Sequence, residues 1–102
     1  MIDPRDIVER WSKQISESCD HLLTLEVRVA VPPDVNDKAG VIVRRSPVIG
    51  SATVWRNGCV EWIAIDESSG DILRNADQEF ASEAEILSWI TESFSETFKF
   101  TE

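Results

Sequence analysis

The spacing of apolar residues changes period twice along this chain, and that change constrains its fold more than any other feature. The first apolar positions are Ile7, Val8, Trp11, Ile15, Cys19, Leu22 and Leu23, close to the i, i+4 rhythm of one buried helical stripe. Glu9, Arg10, Lys13, Gln14 and Glu17 fill the other side. Asp3 can act as N-cap, Pro4 fits the first helical position, and Asp6 lies in the first turn, where the dipole favours an acid. From Thr24 the period becomes two. Leu25, Val27, Val29 and Val31 alternate with Glu26, Arg28 and Ala30, which describes a half-buried strand. Helical spacing returns only at the end. There Ser82 and Glu85 form a capping box ahead of Ile86, Leu87, Trp89, Ile90, Phe94 and Phe98, with Glu83, Glu92 and Glu96 expected in solvent.

Turn signals divide the middle of the chain. Pro32-Pro33 ends the first strand, and residues 34–40 read as a polar loop. A second strand is expected over 41–45, a turn at Ser46-Pro47, and a third strand over 50–56. Asn57-Gly58 is the strongest short-range hairpin signal, because both residues tolerate positive φ. Its partner strand runs from Cys59 to about Asp66. Asp66-Glu67-Ser68-Ser69-Gly70 forms another turn, and a last strand is expected within 71–80. Short connections between successive strands favour an α+β fold: an antiparallel meander of four to five strands with the N-terminal and C-terminal helices packed on one face. A chain of 102 residues makes a single domain, 1–102.

A two-residue turn at Asn57-Gly58 would set the hairpin register. Arg56 then lies opposite Cys59, Trp55 opposite Val60, Val54 opposite Glu61, and Thr53 opposite Trp62. One face carries Trp55, Val60, Trp62 and Ala64. The other carries Ala52, Val54, Arg56, Cys59, Glu61, Ile63 and Ile65. Two tryptophans cover most area when buried beneath the helices. Val54, Ile63 and Ile65 are then an apolar strip on the open side, rimmed by Arg56 and Glu61, as at a binding surface. The same three residues also fit ordinary β-branched strand positions covered by the long Arg56 side chain or a loop. Both readings are open on the sequence.

Charge narrows the choice of partner. Residues 1–60 hold 8 acids and 8 bases, whereas residues 61–102 hold 11 acids against Arg74 and Lys99, so the net charge of −9 lies in the last segment. Such a field repels phosphates and anionic lipids, so neither nucleic acid nor membrane is expected as partner. It would steer a basic partner toward the C-terminal half, with Asp66, Glu67 and Asp71 supplying the steering. Excess acid also serves solubility alone. The opening Met1-Ile2-Asp3-Pro4-Arg5-Asp6 is polar, and no apolar run approaches the roughly 20 residues that cross a bilayer. A cytoplasmic location is expected, with Cys19 and Cys59 reduced.

Catalytic machinery is not apparent. His21 is the single histidine; near the end of the first helix and four residues after Glu17 it suits a structural role. Cys19, Asp20 and His21 are adjacent, so a helix would splay them to different faces, poor geometry for a metal. A Cys59 nucleophile with His21 as base has no local support. No C-x-x-C, G-x-S-x-G, H-E-x-x-H or P-loop pattern occurs. No enzyme activity, cofactor or metal is expected.

At the hairpin the sequence carries a family likeness. Thr53-Val54-Trp55-Arg56-Asn57-Gly58, then Val60 to Ile65, then Asp66-Glu67-Ser68-Ser69-Gly70, resembles the "TVW-x-x-G … ID-x-x-(S/T)-G" signature of the TriTu-like bacterial immunity proteins. Phe80-Ala81-Ser82-Glu83-Ala84-Glu85 is similar to that family's strand-to-helix junction. The specific part spans residues 53–85, and Trp62 departs from it, standing where a smaller aliphatic belongs. The resemblance implies an immunity protein that binds a cognate secreted ADP-ribosyltransferase toxin of the Rhs type, itself directed at the translation factor EF-Tu. It would cover the toxin's NAD or substrate cleft in a 1:1 complex, and be monomeric when free. An acidic blocker suits a site built to attract an anionic cofactor. The residues themselves nominate Val54, Arg56, Glu61, Ile63 and Ile65 as the gripping face. The alternative is a small acidic secretion chaperone, which would dimerise and hold its effector unfolded.

Overall fold

The computed structural model describes residues 2–18, 26–30 and 38–98. Its elements run α1 (Pro4–Ser18), β1 (Glu26–Ala30), β2 (Lys38–Arg45), β3 (Val48–Trp55), β4 (Cys59–Asp66), β5 (Ile72–Glu79) and α2 (Glu83–Phe98). The strands form one five-stranded sheet in the order β1-β2-β3-β4-β5, antiparallel at every pairing. This is the α+β meander expected from the apolar periods. Cys19, Asp20, His21, Leu22, Leu23 and Pro32-Pro33 lie outside the described residues.

Capping starts both helices where the sequence places them. Asp6 N–H donates to Asp3 Oδ1 at 3.3 Å, satisfying a donor that a helix N-terminus leaves open, and Ile7 N–H donates to the Asp3 carbonyl at 3.1 Å as the first bond of the helix. At α2, Glu85 N–H donates to Ser82 Oγ at 3.3 Å, and the Ser82 hydroxyl donates back to Glu85 Oε1 at 3.2 Å. The return bond thus comes from the hydroxyl to the carboxylate, a variant of the box in which the carboxylate accepts from a backbone N–H.

Both helices cover the same side of the sheet. Ile7, Val8, Trp11 and Ile15 of α1, with Ile86, Ile90, Phe94 and Phe98 of α2, pack on Ala39, Val41, Val43, Ala52, Val54, Val60 and Trp62. Two fully buried indoles anchor this core, and α2 supplies a hydroxyl to each. Trp11 Nε1–H donates to Thr91 Oγ1 at 3.1 Å, and Trp62 Nε1–H donates to Thr97 Oγ1 at 2.8 Å. Without those acceptors, each buried N–H would carry a desolvation penalty of about 1–3 kcal/mol.

Arg10 ties the two helix starts together. Its guanidinium pairs with Asp6 at 2.8 Å and with Glu83, whose other oxygen accepts Asp3 N–H at 3.4 Å. These bonds, Glu83 first, raise the Arg10 pKa above its ordinary value. Glu83 is therefore engaged, not simply solvated, and Glu96 pairs with Arg74 at 2.7 Å. Strand limits also shift. Because Ser46-Pro47 is a two-residue turn, pairing runs directly from Arg45↔Val48 to Lys38↔Trp55. β2 takes in Lys38 to Gly40, which read as loop in the sequence.

Trp62 fits the core because Gly50 leaves room for it. A Cβ at Gly50 would lie 2.6 Å from Trp62 Cζ2 and 2.8 Å from Cη2, well inside contact distance. Gly50→Ala should therefore cost about 1–3 kcal/mol through overpacking. The expected result is a lower urea midpoint with an unchanged denaturant slope; an unshifted midpoint would show that the ring does not fill that space.

Candidate functional site

The geometry of the exposed sheet face is decided at the β3–β4 loop. Gly58 N–H donates to the Trp55 carbonyl at 3.0 Å, Gly58 has φ of 98°, and Cys59 N–H donates to Asn57 Oδ1 at 3.0 Å. This is a three-residue loop, Arg56-Asn57-Gly58, with its glycine in the left-handed region. Phe80 N–H donates to the Gly58 carbonyl at 3.0 Å, and a Cβ at Gly58 would stand 2.2 Å from the Phe80 carbonyl oxygen. Both backbone conformation and space require glycine here.

The extra loop residue corrects the register. Val54 pairs with Val60, Thr53 with Glu61, Ala52 with Trp62 and Ser51 with Ile63. A one-residue slip exchanges the faces of one strand relative to its neighbour. Val54, expected on the open side, is fully buried in the core. Trp55, expected beneath the helices, lies half-exposed on the open side, while Trp62 is buried. Arg56 sits exposed in the loop, outside the strand. Ile63, Ile65 and Glu61 keep their expected place on the open face.

Rows of opposed residues describe that face. One row runs Ile42, Ser51, Ile63, Asn75; the next runs Arg44, Ile49, Ile65, Ile72; a third runs Gly40, Thr53, Glu61, Asp77. Among the described residues neither helix covers it, since both pack on the opposite side. Ile42, Ile49, Ile63 and Ile65 are half-buried and form a continuous apolar strip. At its margin the pairing shifts between Ala64 and Ile65, where β5 carries Leu73 as an extra residue. A bulge of this kind bends the edge strand, and it leaves Ile72 65% and Leu73 50% exposed. Ile42, Ile49, Ile72 and Trp55 belong to this face but were not nominated from sequence. Ile42 stands between Val41 and Val43, and Ile49 follows Val48, so alternation gives no signal at these positions. For Trp55 the missing signal was loop length.

The strip grades into acid toward the hairpin. Glu61 lies directly opposite Asp77, and Glu79 opposite Cys59. With Trp55, these residues line an open hollow of about 310 Å³. A second hollow of about 190 Å³ lies over the small residues Gly40, Ser51 and Thr53, beside Lys38 and Ile42.

The acids of the next turn have structural duties instead. Asp66 Oδ1 accepts from the Ser68 hydroxyl at 2.6 Å and from the backbone N–H groups of Ser68 and Ser69 at 2.8 and 3.3 Å. Those bonds, the hydroxyl first, hold its carboxyl below the ordinary aspartate pKa. Glu67 pairs with Arg44 at 3.0 Å. Asp71 is exposed, its carbonyl accepting from Asp66 N–H at 2.9 Å. Of the three acids expected to steer a partner, two are thus engaged in shaping the turn and its contact with β2.

Among the described residues, no group of three His, Cys, Asp or Glu side chains is placed to hold a metal, and no helix is long and apolar enough to cross a membrane. Cys59 is a half-buried free thiol on the open face. Compared with known proteins, the chain matches no family model and no curated protein.

Fluorescence checks the face assignment. In a Trp89→Phe background, the further change Trp55→Phe should remove most acrylamide-quenchable emission, whereas Trp62→Phe should leave it nearly intact. The reverse order would contradict the register.

Proposed function

We propose that this protein is an inhibitor that binds and neutralises a cognate secreted toxin, as an immunity protein acting in the cytoplasm of the cell that makes the toxin. The observation that carries this reading is the open sheet face. An apolar strip of isoleucines lies uncovered by either helix, bordered on one side by carboxylates. An uncovered apolar patch with a charged border suits a protein partner, and the net charge of −9 favours a basic one.

The resemblance to TriTu-like immunity proteins supplies the class of that partner: an ADP-ribosyltransferase toxin domain, its NAD or substrate cleft covered in a 1:1 complex. A cleft that attracts an anionic cofactor presents positive charge, which complements the acidic end of the face. The isoleucines would then supply the desolvated centre and the carboxylates the rim. Residues at the centre of an interface set the dissociation rate, while rim charges mainly set the association rate.

The test is to purify the chain with the effector domain encoded beside its own gene. The expected assembly is a monomer when free and a 1:1 complex with folded toxin; a dimer holding an unfolded effector would instead be the behaviour of a secretion chaperone. Ile63→Asp with Ile65→Asp should fold, because both positions face outward, and should weaken binding by about 2 kcal/mol or more, roughly thirtyfold. A folded double variant that neutralises toxin with wild-type affinity would contradict the assignment.

A further inference from the structure

The hairpin end of the open face differs in kind from the isoleucine strip, and its chemistry is specific. Trp55, Glu61, Asp77 and Glu79 are among the residues that line the hollow of about 310 Å³. Among the described residues its lining contains no lysine or arginine. Resting on the reading of this face as the partner surface, we propose that the hollow receives an arginine side chain of that partner.

Several independent features converge on a guanidinium. The first is the indole. Trp55 is left half-exposed on the side of the sheet away from the helices, where an aromatic face attracts a cation and attracts a planar, weakly hydrated guanidinium best. The second is a built-in repulsion. Glu61 and Asp77 are directly opposed across β4 and β5, and like charges so placed destabilise a sheet. An incoming cation would relieve that repulsion. Geometry is the third. Glu61 on β4 and Asp77 and Glu79 on β5 all line the hollow, and neighbouring carboxylates suit the fork of N–H donors on arginine. The same carboxylates do not gather into a metal site.

Among the described residues, neither Lys38 nor Arg56 lines the hollow. Lys38 is opposed to Trp55 across β2 and β3 but lines the neighbouring hollow. Arg56 is exposed in the loop and makes an interaction of its own. Continuity with the isoleucine strip lets one partner segment place apolar side chains on Ile63 and Ile65 and an arginine beside Trp55.

A peptide titration followed by NMR tests the hollow without the partner. The probe is acetyl-Arg-Arg-amide, compared with its lysine and citrulline counterparts at low ionic strength. The expected result is a saturable shift of the Trp55 indole N–H and of the Glu61 and Asp77 amides. The citrulline peptide, which keeps shape but lacks charge, and the lysine peptide should both bind more weakly, the former by about tenfold or more. Trp55→Ala and Asp77→Asn should each weaken the arginine peptide by several-fold to about tenfold. Asp77→Asn should also raise the melting temperature of the free protein by about 2 °C, since it removes the opposed charge.

No saturable shift at Trp55, equal binding of the citrulline or lysine peptide, or shifts confined to another surface would overturn the proposal. The two readings fail separately. Peptide binding at Trp55 together with an Ile63/Ile65 double variant of wild-type toxin affinity would sink the interface and leave the cation site. A silent hollow together with a crippled double variant would sink the arginine site alone.

Discussion

One backbone hydrogen bond, from Gly58 N–H to the Trp55 carbonyl, governs which side of the sheet every β3 side chain takes relative to β4. It closes a loop of three residues. With a loop of two, Trp55 and Trp62 would share a face and Val54 would look outward. With three, Val54 and Trp62 go inward together and Trp55 goes out. The hydrogen bond from Phe80 N–H to the Gly58 carbonyl fastens the same loop to the exit of β5, and the Phe80 carbonyl leaves no room for a Cβ at Gly58. Core composition and surface chemistry therefore both follow from one turn.

On the inner side, the consequence is a core built around a large residue that needs accommodation. Trp62 fills the space left by Gly50, and its N–H is satisfied by Thr97 of α2. Trp11 is satisfied from the same helix by Thr91. Placing both hydroxyls on α2 fixes the rotation of that helix about its axis, because they must face the two indoles while Ile86, Ile90, Phe94 and Phe98 face the sheet. With both helices packed on this side, neither covers the apolar residues of the other side. The proposed function rests on that asymmetry.

The sequence made the helices, the strand order and the caps legible, because each rests on local chemistry: Asp3 before Pro4, Ser82 before Glu85, and apolar residues in unambiguous periods. It misplaced Val54 and Trp55 because Asn-Gly serves two-residue and three-residue loops alike, and only the partner strand tells which. Ile63 and Ile65 were placed correctly, since they lie on β4 opposite in parity to Trp62. Ile42 and Ile49 were invisible for a different reason: Val41, Val43 and Val48 beside them are apolar too, so alternation carries no information there. The acids of the Asp66 turn were read as free charge, although Asp66 is consumed by Ser68 and Ser69 and Glu67 by Arg44. Charge counting does not separate acids that shape a turn from acids that meet a partner.

The surviving acidic feature, Glu61 opposed to Asp77 beside an exposed indole, exists only in the three-residue register. Cross-strand nuclear Overhauser contacts between β3 and β4 in the free protein are the most direct measurement of that register. The account requires contacts linking Val54 with Val60 and Ala52 with Trp62. Contacts linking Trp55 with Val60 and Thr53 with Trp62 would place both tryptophans on one face and contradict it.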